Sequence, residues 1–233
     1  MTIRTPIDKD HIRSHITYHG WKYVALLVLG IAGWALLFQM TAYRSPQDKR
    51  IDVYFSSSSA STEMCDAFLK PLWDEVTPDM ETVSSVALMP SADYTAAMQM
   101  QVYLATGEGD IFFLRMDDFK TYAATEAMLP LDEYLESGLI NAEGIDLTAG
   151  RVKVVDEYSD EGVPVYSGVE HIYGIPTDVL FGFMDGFMLD NRGMVMCMSA
   201  ANQNEENVIP FFNALLQAGR GDKPEWLTQQ EQQ

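Results

Sequence analysis

The run DYTAAMQMQVYLATGEGDIFFLRMDDFKTYAATEA, residues 93–127, changes its hydrophobic period twice. Tyr94, Met98, Val102 and Ala105 recur at helical spacing and share one face. Asp93 is a candidate N-cap, and Gly107 and Gly109 provide the stop. DIFFL (110–114) is a short unbroken apolar run, as expected of a strand buried on both faces. Residues 117–127 return to the helical period.

The same alternation extends to both sides. Upstream, IDVYF (51–55) and VSSVALM (83–89) read as strands. Between them, Met64, Phe68, Leu72 and Val76 predict a helix over 62–76, with Pro71 as a blemish inside it. Downstream, LPLDEYLESGL predicts a turn and a short helix. RVKVVDEY, PVYSG and HIYGIP are β-like pieces, MVMCMSA (194–200) is a strand, and EENVIPFFNALLQAG (205–219) is a helix. Strands alternating with helices predict an α/β fold, a mainly parallel sheet flanked by helices. That domain covers 51–221, followed by a polar tail over 222–233.

The first fifty residues have another character. Tyr23 to Tyr43 is a stretch of 21 residues without a charge. As a helix it measures about 31 Å, the thickness of a hydrocarbon core. Trp21, Tyr23 and Tyr43 flank it where aromatic rings favour the interface. The reading is a cytoplasmic stub (1–22), a single transmembrane helix (23–43) and a polar linker (44–50). The alternative, a signal peptide, calls for a shorter apolar region and a small-residue cleavage site, whereas QMTAYRSPQ follows here. Four basic residues precede the helix and three follow it, so the positive-inside rule decides little. The short leading segment and the acidic body favour the N-terminus inside and the body outside the cell membrane.

Charge divides the chain in the same place. Residues 1–50 carry seven basic and three acidic side chains; the remainder carries eight basic and 31 acidic. A net charge of −19 argues against nucleic acid as a partner. Cys65 and Cys197 are compatible with a disulfide or with two buried thiols.

Four segments together resemble the extracytoplasmic solute-binding proteins of ABC importers, the sugar-binding group. MQMQVYLATGEGDIFFL resembles that family's helix, Gly-containing acidic turn and apolar strand. FKTYAATEAMLPLDEYLESGLI resembles its tyrosine-bearing helix leading into a Leu-Pro-Leu-Asp turn. HIYGIPTD resembles the segment that returns to the sheet, and ANQNEENVIPFFNALL a later helix. The resemblance covers 93–180 and extends to about residue 219. It implies an accessory or docking component of an importer, with an ABC permease or a full-length solute-binding protein as partner. A carbohydrate- or peptide-binding module is the alternative. Two departures stand out. The family has two lobes and about twice this length, while here HIYGIPTD reaches MVMCMSA within about 30 residues. The family's anchor is a lipid on cysteine; here it is a protein helix. Both point to a reduced, one-lobe relative.

In an open parallel sheet, ligands bind beyond the carboxyl ends of the strands. That rule selects Ser56, Ser57, Ser58 and Ser59, then Pro90 and Ser91, then Arg115, Met116, Asp117 and Asp118. Serine hydroxyls near a helix start offer hydrogen bonds to a polar ligand, and Arg and Asp grip hydroxyls with charge-assisted ones. Tyr173 or His171 would add a stacking face. The competing reading has the serines, Asp117 and Asp118 capping helices. No enzyme and no cofactor are expected. His171 has no framed nucleophile, and GEGD lacks a P-loop or dinucleotide fingerprint. His11, His15 and His19, spaced by four, read as a solvated stub before a metal site, and DEYSDEG (156–162) as a solvated acidic loop outside the EF-hand spacing.

Overall fold

The computed structural model describes residues 9–43, 45–57, 62–88, 94–159, 163–187 and 189–222. The chain forms two compact units, Met1–Arg44 and Ser45–Gln233. The first is one helix, α1 (Lys9–Thr41). Within it, Thr17–Thr41 is long and apolar enough to cross a membrane. Leu26, Leu29 and Trp34 are all exposed, so this segment presents apolar side chains on several sides.

The second unit is an α/β domain. Its elements run β1 (Arg50–Phe55), α2 (Thr62–Val76), β2 (Thr82–Ala87), α3 (Tyr94–Thr106), β3 (Ile111–Arg115), α4 (Met116–Ala124), α5 (Asp132–Glu136), β4 (Arg151–Tyr158), β5 (Pro164–Ile172), β6 (Gly174–Pro176), α6 (Gly182–Phe187), β7 (Met194–Met198) and α7 (Glu205–Ala218). Five strands form one sheet in the order β2-β1-β3-β7-β6, and β4 and β5 form a separate antiparallel ribbon. β1 pairs parallel with β2 and with β3. β7 is antiparallel to both β3 and β6, so four of the five strands run one way. The expected mainly parallel sheet is therefore present, with one reversed strand.

Strand side chains alternate between two cores. Ile51, Val53, Phe55, Ile111, Phe113, Met194 and Met196 meet α2, α6 and α7 on one face. Tyr54, Phe112, Leu114, Val195 and Cys197 meet α3, α4 and the base of the ribbon on the other. Burial on both faces explains why these strands read as continuous apolar runs.

Two helical stripes differ from the sequence expectation. In α3 the buried residues are Ala96, Met100 and Leu104, while Tyr94, Met98 and Val102 are exposed. The helix holds no charged residue, so its apolar period fits more than one face, and packing against the sheet selects. In α2 the fully buried positions are Cys65 and Leu69, with Phe68 and Leu72 packed beside them. Pro71 is exposed inside α2 and does not end it. Asp93, the expected cap of α3, lies outside the described residues.

Candidate functional site

The order β2-β1-β3 contains a reversal. From β1 the chain moves to β2 on one side, then returns past β1 to β3 on the other. The connecting helices α2 and α3 consequently pack on opposite faces. A crevice opens at such a switch point, beyond the carboxyl ends of the two strands that flank it. Here those are β1 and β3, and the residues at their ends are Ser56 and Arg115.

Packed aromatic rings lie beneath these strand ends. Phe55 stacks on Phe113 with ring centroids 4.8 Å apart, and Phe187 meets Phe55 edge-on at 4.6 Å. Phe68 meets Phe187 at 4.6 Å from the far side. Gly186 is needed for this packing, because a Cβ there would lie 2.2 Å from the Phe68 ring. Strand ends are tied in register above these rings. The Ser56 N–H donates to the Phe113 carbonyl (2.8 Å), and the Leu88 N–H to the Phe55 carbonyl (2.9 Å).

Ser56 is 2% exposed, and its hydroxyl has no hydrogen-bond partner among the described residues. Most buried hydroxyls are paired, so this one is a group with unspent hydrogen-bonding capacity. Ser57 follows at the rim, while Ser58, Ser59, Pro90 and Ser91 lie outside the described residues. Arg115 is exposed at the end of β3 and occupies the N-cap position of α4 without a side-chain cap bond. Asp117 and Asp118 sit in the first turn of α4 rather than at its cap. Neither caps α4 as the competing reading had it, although their charge favours the helix start through the backbone dipole. Asp117 is exposed and Asp118 half-buried.

Tyr173 is not brought to this edge. It precedes β6, which runs parallel to β3, so it lies toward the end of the sheet where β3 begins. Its ring is 3% exposed and belongs to the core formed with Phe112 and Phe119, which leaves no free stacking face. Burial raises its phenol pKa, and Glu126 and Asp132 add to the shift. His171 is tied to Asp132, with Nδ1 3.3 Å from Oδ2.

The sequence rule overlooked residues supplied by the antiparallel strand. β7 enters the sheet at this edge, so its preceding loop lies there: Met194 pairs with Arg115. Arg192 forks onto Asp190 with bonds of 2.8 and 2.7 Å. Those bonds hold the Asp190 carboxyl below its usual range, and the positive charge of Arg115 adds to the effect. Asp178 accepts the Gly193 N–H at 2.9 Å, and the Met116 N–H donates to the Gly193 carbonyl at 3.1 Å. A search of carboxyl ends alone misses this loop, because a reversed strand offers its amino end. The strand direction was the missing signal.

The opposite end of the sheet is closed. The Asp110 carboxylate accepts the Asp52 N–H at 2.8 Å, and the Asp110 N–H donates to the Asp52 carbonyl at 3.1 Å. The Ser84 hydroxyl donates to Asp52 at 2.6 Å, and Arg50 pairs with Asp52 at 3.1 Å. Burial pushes the Asp110 carboxyl up to about 7, against the pull of its bond from the Asp52 N–H. Gly109, at φ +99°, makes the turn into β3, and a Cβ there would stand 2.7 Å from Phe112 and Tyr54. Cys65 and Cys197 are both buried free thiols, in line with the reading of two buried thiols. Burial raises both; Cys65 is pushed up to about 11.

The domain is thus an α/β unit with polar residues at the strand ends that flank its switch point and no opposing lobe among the described residues. No protein-family model matches the chain, and no curated protein matches it by sequence. Among solved structures it is similar to a family 1 extracellular solute-binding protein from Alicyclobacillus acidocaldarius subsp. acidocaldarius DSM 446. The TM-score is 0.35 at 17% identity, over 57% of this chain and 29% of that one. A family 1 extracellular solute-binding protein from Bifidobacterium longum subsp. infantis gives 0.33 at 19%, over 55% and 27%. The N-glycan transport solute-binding protein from Streptococcus pneumoniae, in complex with Man5GlcNAc, gives 0.33 at 18%, over 55% and 24%. The chain spans less than a third of the length of each of these proteins.

Proposed function

We propose that the chain is a membrane-anchored, extracytoplasmic, solute-binding-like protein that serves an ABC importer as an accessory or docking component. The N-terminus lies in the cytoplasm in this reading, and the one-lobe domain meets an ABC permease or a full-length solute-binding protein outside. One observation carries the reading. Between Pro176 of β6 and Met194 of β7, the chain makes only a short crossover containing the six-residue helix α6. In the family it resembles, most of the second lobe enters in that region. Two lobes bury a ligand by closing on it; a single edge covers one side and leaves the other to a partner.

Purification of the full chain from native membranes in mild detergent tests this. A permease or a full-length solute-binding protein of an ABC importer is expected at stoichiometric level. Recovery without either would sink the docking role.

A second reading, a carbohydrate- or peptide-binding module that delivers its ligand to a permease, is favoured by the buried Ser56 hydroxyl, which has no hydrogen-bond partner among the described residues. Calorimetric titration with oligosaccharides and peptides decides it. Binding that Arg115→Ala and Ser57→Ala abolish supports the module; binding indifferent to both removes it.

A further inference from the structure

Residues 51–233 contain eight basic side chains, and three of them, Lys120, Arg151 and Lys153, line one cavity of about 300 Å³. Ala124, Val152 and Tyr166 complete its wall. The cavity lies between α4, which carries Lys120 and Ala124, and the β4–β5 ribbon, which carries the rest. Val152 is buried with Phe119 and Ala123 of α4, and this contact brings the base of the ribbon onto the helix. Arg151 and Lys153, two apart on β4, stand on the same face of the strand. Lys153 is opposite Glu170 in register and pairs with it at 3.8 Å. Among the described residues no ion pair neutralises Lys120 or Arg151.

This concentration of positive charge needs a reason in a chain of net charge −19. Acidic side chains outnumber basic ones by 31 to eight in this part of the chain, so neutralising partners are abundant. The cavity nevertheless is lined by two cations, Lys120 and Arg151, that no ion pair neutralises among the described residues. We propose that it binds a small organic anion of sugar size, whose phosphate or carboxylate is held by Lys120 and Arg151 and whose ring rests on Tyr166. Arg presents a planar fork that fits either anion bidentately, and Lys adds a point charge. Tyr166 offers an apolar face together with a hydroxyl. A volume near 300 Å³ is at the small end of ligand pockets, suited to a single ring. A neutral sugar would leave the two charges unrelieved. The cavity shares no residue with the strand ends at the switch point, so this inference stands apart from the docking role and from the alternative binding module.

Calorimetry of the full chain in neutral detergent micelles tests it, with glucose 6-phosphate, glucuronate, glucose and inorganic phosphate as probes. Saturable binding of glucose 6-phosphate or glucuronate, and none of glucose, is expected. The tighter of the two anions tells a phosphorylated from a carboxylated ligand. Lys120→Gln/Arg151→Gln should weaken that binding at least tenfold. Lys70→Gln, an exposed lysine on α2 paired with Asp74, should leave it unchanged, as should Ser56→Ala. Rising salt should weaken it as well. Three results would each overturn the proposal: no heat from either organic anion, binding that survives the double substitution, or inorganic phosphate binding as tightly as glucose 6-phosphate. Both substituted side chains are exposed, and an unchanged melting temperature confirms that the double variant is folded.

Discussion

One sheet handles polar groups in opposite ways at its two ends. Where β1 and β3 begin, Asp52 and Asp110 are bound to each other's backbone, and Ser84 and Arg50 complete the set. Where the same strands finish, a buried serine hydroxyl has no partner among the described residues, and Arg115 and Asp117 stand in solvent. The first end is a lock that holds strand register. The second keeps hydrogen-bonding capacity in reserve, in the place where a switch in strand order opens the surface. Burial of a polar group therefore says little about its role until its partners are counted.

The comparison can be broken from below. Phe113 supports the open end, stacked on Phe55 and fully buried. Phe113→Ala should lower stability by about 3–5 kcal/mol. Denaturant titration of the full chain in detergent would show it as a shifted midpoint, and a loss below 1 kcal/mol would mean that these rings do not support the strand ends.

The closed end should respond to pH. The folded-state pKa of Asp110 is raised to about 7, above the ordinary value near 4 expected of the unfolded chain. A raised carboxyl favours folding below the unfolded pKa, and this contribution is lost as pH climbs toward 7. Stability should thus fall between about pH 4 and pH 7 and level off above, by up to about 4 kcal/mol. Asp110→Asn keeps an acceptor for the Asp52 N–H and should remove this slope. A variant with the wild-type slope would place the titrating group elsewhere.

The serines sharpen the contrast because their substitutions should differ in sign. Ser84→Ala takes the hydroxyl from the buried Asp52 carboxylate and should cost about 1–2 kcal/mol. Ser56→Ala removes a buried hydroxyl with no partner among the described residues and should be neutral or stabilising by up to about 1 kcal/mol. Equal losses at the two positions would show that Ser56 is satisfied in solution. The smallest effect is expected at Arg115, whose exposed side chain should change stability by less than about 0.5 kcal/mol on replacement by alanine.

Much of the molecule was legible in the residues. The apolar run over 23–43, the strands at IDVYF, DIFFL and MVMCM, and the helices over 62–76 and 205–218 all follow from period and length. These signals are local, since a strand buried on both faces must be apolar throughout and a helix long enough to cross a hydrocarbon core is recognised by an unbroken apolar run. That Ser56 and Arg115 end parallel strands follows from element order as well.

Tertiary structure decided what period alone leaves degenerate. Helix α3 has apolar residues on several sides, so contact with the sheet selects Ala96, Met100 and Leu104 as its inner face and leaves Tyr94, Met98 and Val102 outside. The direction of β7 is a pairing choice that its own sequence does not encode, yet it delivers Asp190 and Arg192 to the open end and excludes Tyr173 from it. The union of Lys120 with Arg151 and Lys153 likewise depends on Val152 packing against α4, a contact between segments some thirty residues apart. Sequence determines which segments bury themselves, because hydrophobicity belongs to each residue. Which side chains meet is set by packing, because a meeting belongs to the pair.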